Sequence, residues 1–512
     1  MKKNLLIAYV GIAMLLVSCS KEQISHHALD AVPQNPLPKS EIDQFVYNQL
    51  EKTGQFYWNS TDDRMLWSAA VRSDSILSIG YQPAGEKDLN NRLHLIDFQD
   101  NTWRKVRNDL IELIVAETNK KWPSHNFTAR DLMPLGDEDA LPFMLIKVWD
   151  EALVTQLRRM PEVRYLDAVG YLMEDMEVRL RSGSGCDAEP NVINPSDYTT
   201  ISPNAKVPWN FYNMNIPGAW NTSTGRGVTI AIIDTGTSPN QPKLGSQFNS
   251  GASSGRTLTR TGTYVSSWWP WSPPDGPNDL CGHGTQMAGL AAAPRSNTGT
   301  TLGVAYNANL LAIRAVEDVV ILGSSETNGV TNALRIAADR SDVRVISMSI
   351  GSILGSGQIE DAVRYAFNRG KLIIAAAGTS TSFTTWVGVV FPAWMNECVA
   401  VTGVKEGTPL VKCDVCHVGS KVEFVAPMQR RNSSMTSLTL AMYSDTPTTI
   451  GGSSAATATT AGIATLIWAT NPSQTRTQVL EKMRRAASLY PSRNSSFGFG
   501  FIDASKAVNS NL

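Results

Sequence analysis

The sequence predicts a two-unit chain of the α/β class, in which a large parallel sheet with helices on both faces follows a smaller α+β unit of ferredoxin-like type. Three observations predict it. After residue 209, apolar runs of strand length at 228–233, 310–316, 343–348, 371–377 and 398–404 lack polar alternation, as strands buried on both faces do. Helical patterns at 331–339 and 359–369 interleave with these runs and supply the covering layers. At 512 residues, the chain also exceeds what one hydrophobic core organises.

In chain order, Lys2 and Lys3 precede an apolar run over 5–17 that ends in Leu16-Val17-Ser18-Cys19. This is the pattern of an export signal, with an apolar core shorter than the roughly 20 residues a membrane span needs. Leu-Val-Ser-Cys resembles a bacterial lipobox, which implies a signal peptide over 1–18 and a lipid on Cys19. By the same resemblance, Ser20 after the cysteine favours the outer membrane over the inner one for an exported lipoprotein. Residues 19–40 are polar and Pro-rich, as a tether is.

The smaller unit spans 41–180. Helical spacing covers 40–57 and 103–116, and strand-like alternation covers 76–81 and 93–98. A strand at 143–149, a helix at 151–160 with Leu153, Val154 and Leu157 inward, and a strand at 163–172 complete it. Residues 181–208 turn to Ser, Gly, Asn and Pro and read as an exposed linker, so the larger unit spans 209–512.

Composition narrows the function classes. Lys and Arg number 45 against 46 Asp and Glu, with no long run of one sign, so a nucleic-acid partner is not expected. Five cysteines remain besides Cys19: Cys186, Cys281, Cys398, Cys413 and Cys416. Export permits disulfides, and Cys398 with Cys413 or Cys416 is the first expected pair. Cys413-x-x-Cys416-His417 also matches a c-type haem attachment motif, but it lies inside strand-like sequence of the larger unit, which disfavours haem and equally a zinc site.

Three short segments carry chemistry. Asp234 ends the strand-like run at 228–233, where ligands bind in open α/β sheets. His283 sits between Gly282 and Gly284 at the start of a small-residue helix. Ser454 lies in Gly452-Ser453-Ser454-Ala455-Ala456, which opens another helix. A serine there has a bland explanation as an N-cap, but a nucleophile at that point also has its own N–H and the positive helix end available for a developing oxyanion.

Asp234-Thr235-Gly236, Gly282-His283-Gly284-Thr285 and Gly452-Ser453-Ser454-Ala455-Ala456, in that order, resemble the three active-site motifs of the subtilase family. The resemblance covers about the last three hundred residues and extends to Ser347-Met348-Ser349-Ile350-Gly351, Phe391-Pro392-Ala393 and Val425-Ala426-Pro427. It implies a serine endopeptidase in which Ser454 attacks, His283 transfers the proton and Asp234 orients the imidazole. It further implies substrate pairing along Ser349, Ile350 and Gly351, and a specificity pocket narrowed by Val390, where relatives often carry glycine. The stretch over 143–172 is similar to the second half of subtilase propeptides, so the smaller unit is expected to be an inhibitory, later cleaved partner of the larger one, with processing in the linker. The expected partners are therefore protein or peptide substrates, the chain's own propeptide and a membrane reached through Cys19. The implied chemistry needs no cofactor, and no pattern in the sequence places structural calcium.

One departure bears on activity. Where subtilases carry an oxyanion-binding Asn after Ala-Ala-Gly, Ala376-Ala377-Gly378 is followed by Thr379, so the expected oxyanion donors are Thr379 and Ser454. The alternative is a catalytically weak surface binding protein on the same scaffold, and a purely structural or carbohydrate-binding lipoprotein is a third reading.

Overall fold

The computed structural model describes residues 35–135, 140–174, 186, 190–266, 272–321, 323–379 and 388–511. Cys19, the signal and most of the tether lie outside the described residues, as do 175–180 at the end of the smaller unit and 181–185 and 187–189 of the predicted linker.

The smaller unit is built on a three-stranded antiparallel sheet. Helices α1 (Lys39–Thr53) and α2 (Asp63–Val71) precede the central strand β1 (Ile76–Tyr81), and α3 (Asn101–Lys121) follows it. Strands β2 (Phe143–Lys147) and β3 (Val163–Asp167) flank β1 and are joined by α4 (Glu151–Arg158), the expected strand-helix-strand unit. Leu153, Val154 and Leu157 of α4 are buried, as their spacing predicts. The expected strand at 93–98 is instead a turn of 3-10 helix, Leu93–Leu95. Its Leu-His-Leu pattern alternates like a strand, but Leu95 is 72% exposed and has no neighbouring strand to pair with. Strand β3 stops at Asp167, short of the expected 172: Asp167 still pairs with Ser78, its carboxylate accepts the Gly357 N–H of the larger unit at 2.7 Å, and the chain then turns, with the Tyr171 N–H bonded to Ala168 O.

Residues 198–208, read as part of the exposed linker, form a hairpin of β4 (Tyr198–Ile201) and β5 (Ala205–Pro208) that packs on the larger unit. Ala205 and Val207 are fully buried, and Lys206 is tied by backbone bonds to the segment around Thr300. Two inward side chains sufficed to override a polar, Pro-containing composition.

The larger unit holds a seven-stranded sheet in the order β12-β11-β10-β9-β6-β8-β7, every neighbouring pair parallel. Its strands are β6 (Thr229–Asp234), β7 (Leu258–Gly262), β8 (Asn309–Arg314), β9 (Val343–Met348), β10 (Leu372–Ala376), β11 (Cys398–Lys405) and β12 (Val422–Gln429). Why the inner strands read as unbroken apolar runs is visible in β6, where Ala231 and Ile233 face one apolar cluster and Ile230 and Ile232 the other. Strand β10 repeats this with Ile373 and Ala375 on one side and Leu372 and Ile374 on the other. Each of the isoleucines and the leucine contributes roughly 1.5–3 kcal/mol on burial. Helices α5 (His283–Ala292) and α8 (Gly452–Thr470) cover one face, and α6 (Gly323–Asp339) and α7 (Gly357–Asn368) cover the other. A short antiparallel pair, β13 (Ser437–Leu440) and β14 (Pro447–Ile450), packs against α5 through β13.

The smaller unit docks on α7 and the start of α6. Arg164 grips Asp361 with both terminal nitrogens at 2.6 and 2.8 Å, and Tyr57 Oη donates to Glu360 at 2.8 Å. Phe56 O accepts the Gly355 N–H at 2.8 Å. The Tyr165 ring lies so close to Gly357 that a Cβ there would fall 2.7 Å from it. The apolar clusters of the two units merge across this contact.

The disulfides are not the expected ones. Cys186 pairs with Cys281, Cys413 pairs with Cys416, and Cys398 is a free thiol that burial pushes well above its ordinary range. Cys398 opens β11, whereas Cys413 bonds to Gly403 near its far end. Five residues of extended chain at about 3.3 Å each hold them too far apart to bridge. The two sulfurs of the Cys-x-x-Cys-His motif are joined to each other, and His417 uses its Nδ1 on Gly388 O at 2.9 Å. Among the described residues, no helix is long and apolar enough to cross a membrane, and no group of three or more His, Cys, Asp or Glu side chains could hold a metal ion.

Candidate active site

Parallel pairing brings the carboxyl ends of β6, β9 and β10 to one edge. Asp234 closes β6, Ser349 follows β9, whose Met348 pairs with Ile233, and Thr379 follows β10. Onto this edge α5 and α8, which pack against each other, deliver His283 at the first position of one and Ser454 near the first turn of the other.

His283 Nδ1 lies 2.8 Å from Asp234 Oδ1, and both side chains are almost wholly buried. Asp234 Oδ1 also accepts the Thr235 N–H at 2.8 Å, while Oδ2 is buried without a hydrogen-bond partner among the described residues. Burial is the largest influence on the imidazole and works against its charged form. Asp234, Asp279 and Asp318 more than offset it, and the net effect holds His283 above the ordinary histidine range. The ring is thus a stronger base than free imidazole while Nδ1 is committed to Asp234.

A residue that sequence reasoning did not single out holds this helix in place. Buried Asp279 accepts five hydrogen bonds: from Thr235 Oγ1, Cys281 N and Gly282 N on Oδ1 at 2.8–2.9 Å, and from Thr285 N and Oγ1 on Oδ2 at 2.9 and 2.6 Å. It therefore satisfies free N–H groups at the start of α5 and ties them to the Asp234 loop. The sequence carried a signal for part of this, since an Asp just ahead of a glycine turn bonds the N–H groups that follow it, whereas the bonds to Thr235 and Thr285 had none. Thr235 Oγ1 in turn accepts the Gly284 N–H at 2.8 Å. A Cβ on Gly284 would fall 2.3 Å from Gly236 O, so glycine is required for α5 to approach the strand end this closely.

Ser454 Oγ donates to Ser349 O at 3.2 Å, and Ser349 Oγ donates to Ser454 O at 2.9 Å. No hydrogen bond joins Ser454 Oγ to His283 in this arrangement of the described residues. Thr379 is exposed, and its Oγ1 contacts Ser453, accepting the Ser453 N–H at 3.3 Å and lying 2.9 Å from Ser453 Oγ. The Ser454 N–H belongs to the first turn of α8, whose amides have no partner within the helix. Ile350 is buried, and Val390 is 8% exposed. A Cβ on Gly351 would lie 2.9 Å from Val390 Cγ2, so Val390 fills space directly beside Gly351.

Comparison with known proteins gives the class first: this is a serine-type endopeptidase, a hydrolase, with a subtilisin-like fold. The chain is 29% identical over 295 residues to thermitase of Thermoactinomyces vulgaris, covering 58% of this chain and 93% of that protein. It is 30% identical over 321 residues to a thermostable alkaline protease of Halalkalibacterium halodurans, covering 62% and 78%. Among solved structures it matches sphericase at 27% identity and a TM-score of 0.45, covering 56% of this chain and 96% of that one. The subtilase family model matches residues 225–500, more than half of the chain, and the chain belongs to the subtilase family.

Proposed function

We infer that Asp234, His283 and Ser454 are the catalytic triad of a secreted, lipid-anchored endopeptidase. The observation that carries this reading is the buried 2.8 Å pair of His283 Nδ1 and Asp234 Oδ1 beside a helix that opens on Ser454. Rotation about the Ser454 side chain takes Oγ from Ser349 O toward His283 Nε2. Oγ then attacks the peptide carbonyl while Nε2 takes its proton, and the imidazolium returns that proton to the leaving amine. Water repeats the sequence to free the acyl group. Asp234 keeps Nδ1 protonated and Nε2 available throughout.

The Ser454 N–H and the α8 dipole are the principal stabilisers of the oxyanion. Thr379 supports them from its contact with Ser453. Substrate pairs along Ser349, Ile350 and Gly351, and Val390 favours small side chains in the adjoining pocket. The smaller unit, 41–180, acts as a propeptide, a role that its docking on α6 and α7 supports, and the chain is processed within 181–208. Lipid on Cys19 anchors the protein at the outer membrane. No cofactor enters the chemistry.

The second reading, a weakly active scaffold used for binding, draws on Thr379 and on the resting bond of Ser454 Oγ to Ser349 O. A fluorophosphonate probe separates the two. Labelling of wild type and none of Ser454→Ala is expected, and equal labelling of both would remove Ser454 as the nucleophile.

A further inference from the structure

The edge assigned to substrate is already occupied by the chain itself. Gly351 N–H donates to Val319 O at 3.3 Å, and Gly351 O accepts the Ile321 N–H at 2.8 Å, so residues 320 and 351 form a parallel bridge. A peptide adding itself as a strand at Gly351 needs those same two groups. Pairing by 319–321 and pairing by an extended substrate are therefore mutually exclusive there.

What holds 319–321 in this position comes from the smaller unit. Ile321 is 5% exposed and shares an apolar cluster with Trp58, Ala168 and Tyr171. These side chains close on Ile321 around a cavity of only about 30 Å³. Past Ile321, Gly323 turns the chain with φ of 87°, and Ser324 Oγ donates to the Asp74 carboxylate. Asp74 is itself fixed by accepting the Ile76 N–H at 2.9 Å at the head of β1. The occupying strand is thus gripped by an apolar seat at Ile321 and a polar one at Ser324, both supplied across the interface.

We propose that the smaller unit keeps the peptidase latent by pressing residues 319–321 onto the Gly351 edge, and that loss of this unit opens the cleft. This rests on the triad reading above and adds how that site is controlled. Closure blocks strand pairing on the Gly351 side of Ser454 without covering the serine, so small and extended reagents report different things.

The test uses the full, unprocessed chain with Ile321→Ala and Ser324→Ala, neither of which touches the triad. A fluorophosphonate is expected to label wild type and both variants at similar rates. kcat/KM for a tetrapeptide anilide is expected to rise about tenfold or more in the variants, because a cleft that is open a small fraction of the time loses apparent activity by that fraction. Wild type cleaving the tetrapeptide as fast as both variants would overturn the proposal. Hydrogen exchange on the full chain carrying Ser454→Ala gives a second reading independent of catalysis. The Ile321 amide should be strongly protected there and exchange faster when Ser324→Ala is added, and an unprotected Ile321 amide would overturn the closure. Absence of labelling in every form would instead defeat the assignment of Ser454, leaving exchange to decide closure.

Discussion

Replacing Asp279 by Asn tests whether this carboxylate positions the catalytic histidine. The amide keeps one acceptor oxygen. In its better orientation it retains the three bonds to Thr235 Oγ1, Cys281 N and Gly282 N, and turns an NH2 toward Thr285 N–H and Oγ1. The Thr285 N–H bond is then lost outright, and every retained bond loses its charge. Hydrogen bonds to charged groups contribute about 1.5–3 kcal/mol each, and an unsatisfied buried donor costs about 1–3 kcal/mol. A destabilisation of about 3 kcal/mol follows, to be read from denaturant midpoints in a Ser454→Ala background, where self-digestion does not intrude. Asp279 also helps hold His283 above its ordinary range, so the acidic limb of kcat/KM against pH should move to lower pH in Asp279→Asn. A purely structural role would lower stability and leave that limb in place. An unmoved limb together with wild-type stability would refute the positioning role altogether.

Three further outcomes are expected. Asp234→Asn preserves shape but no longer fixes the imidazole tautomer, so kcat should fall by about 10⁴ with KM little changed, as steady-state kinetics on a peptide substrate would measure. Thr379→Val removes a hydroxyl that binds Ser453 rather than Ser454, so kcat should fall by less than about tenfold. The loss of an oxyanion donor has been measured in a subtilisin at about 10² to 10³, and a fall of that size would give the Thr379 hydroxyl a direct part. Burial first, then Glu360 and Asp361, raise Asp167 to about 7 against the Gly357 N–H, which lowers it. Because the native value lies above the unfolded one, the native state binds the extra proton, and this group's contribution to stability declines as pH rises from about 4 to about 7. The decline amounts to at most about 4 kcal/mol, and Asp167→Asn should abolish it, giving a variant more stable than wild type at pH 8 in chemical denaturation.

Much of this architecture was legible because the apolar pattern leaves few choices. Runs such as 343–348, apolar except for Arg344 and Ser347, can only be satisfied between two covering layers, and β9 forms over those very residues. Short strands were less legible. Leu93 and Leu95 alternate as convincingly as Ala205 and Val207, and only the availability of a partner strand separates the helical turn of the first pair from the hairpin of the second. The motif residues were legible individually, whereas their surroundings were not. The Asp279 network depends on where Thr235 and Thr285 meet in space, and the covering of Gly351 by 319–321 depends on contacts more than 200 residues distant in sequence. Cysteine pairing failed for the same reason, since proximity along a strand-rich stretch says nothing about which end of the strand each sulfur occupies.

The bond between Cys186 and Cys281 gives the N-terminal portion a second route to the rest of the molecule, one that bypasses the peptide backbone. A nick anywhere between Cys186 and the hairpin at Tyr198–Ile201 would yield two polypeptides but still one covalent particle, separable on a gel only after a reductant is added. A nick before Cys186 would instead leave a new amino terminus moored two residues from His283. Where the cut falls therefore decides whether maturation sheds the front of the chain or merely loosens it.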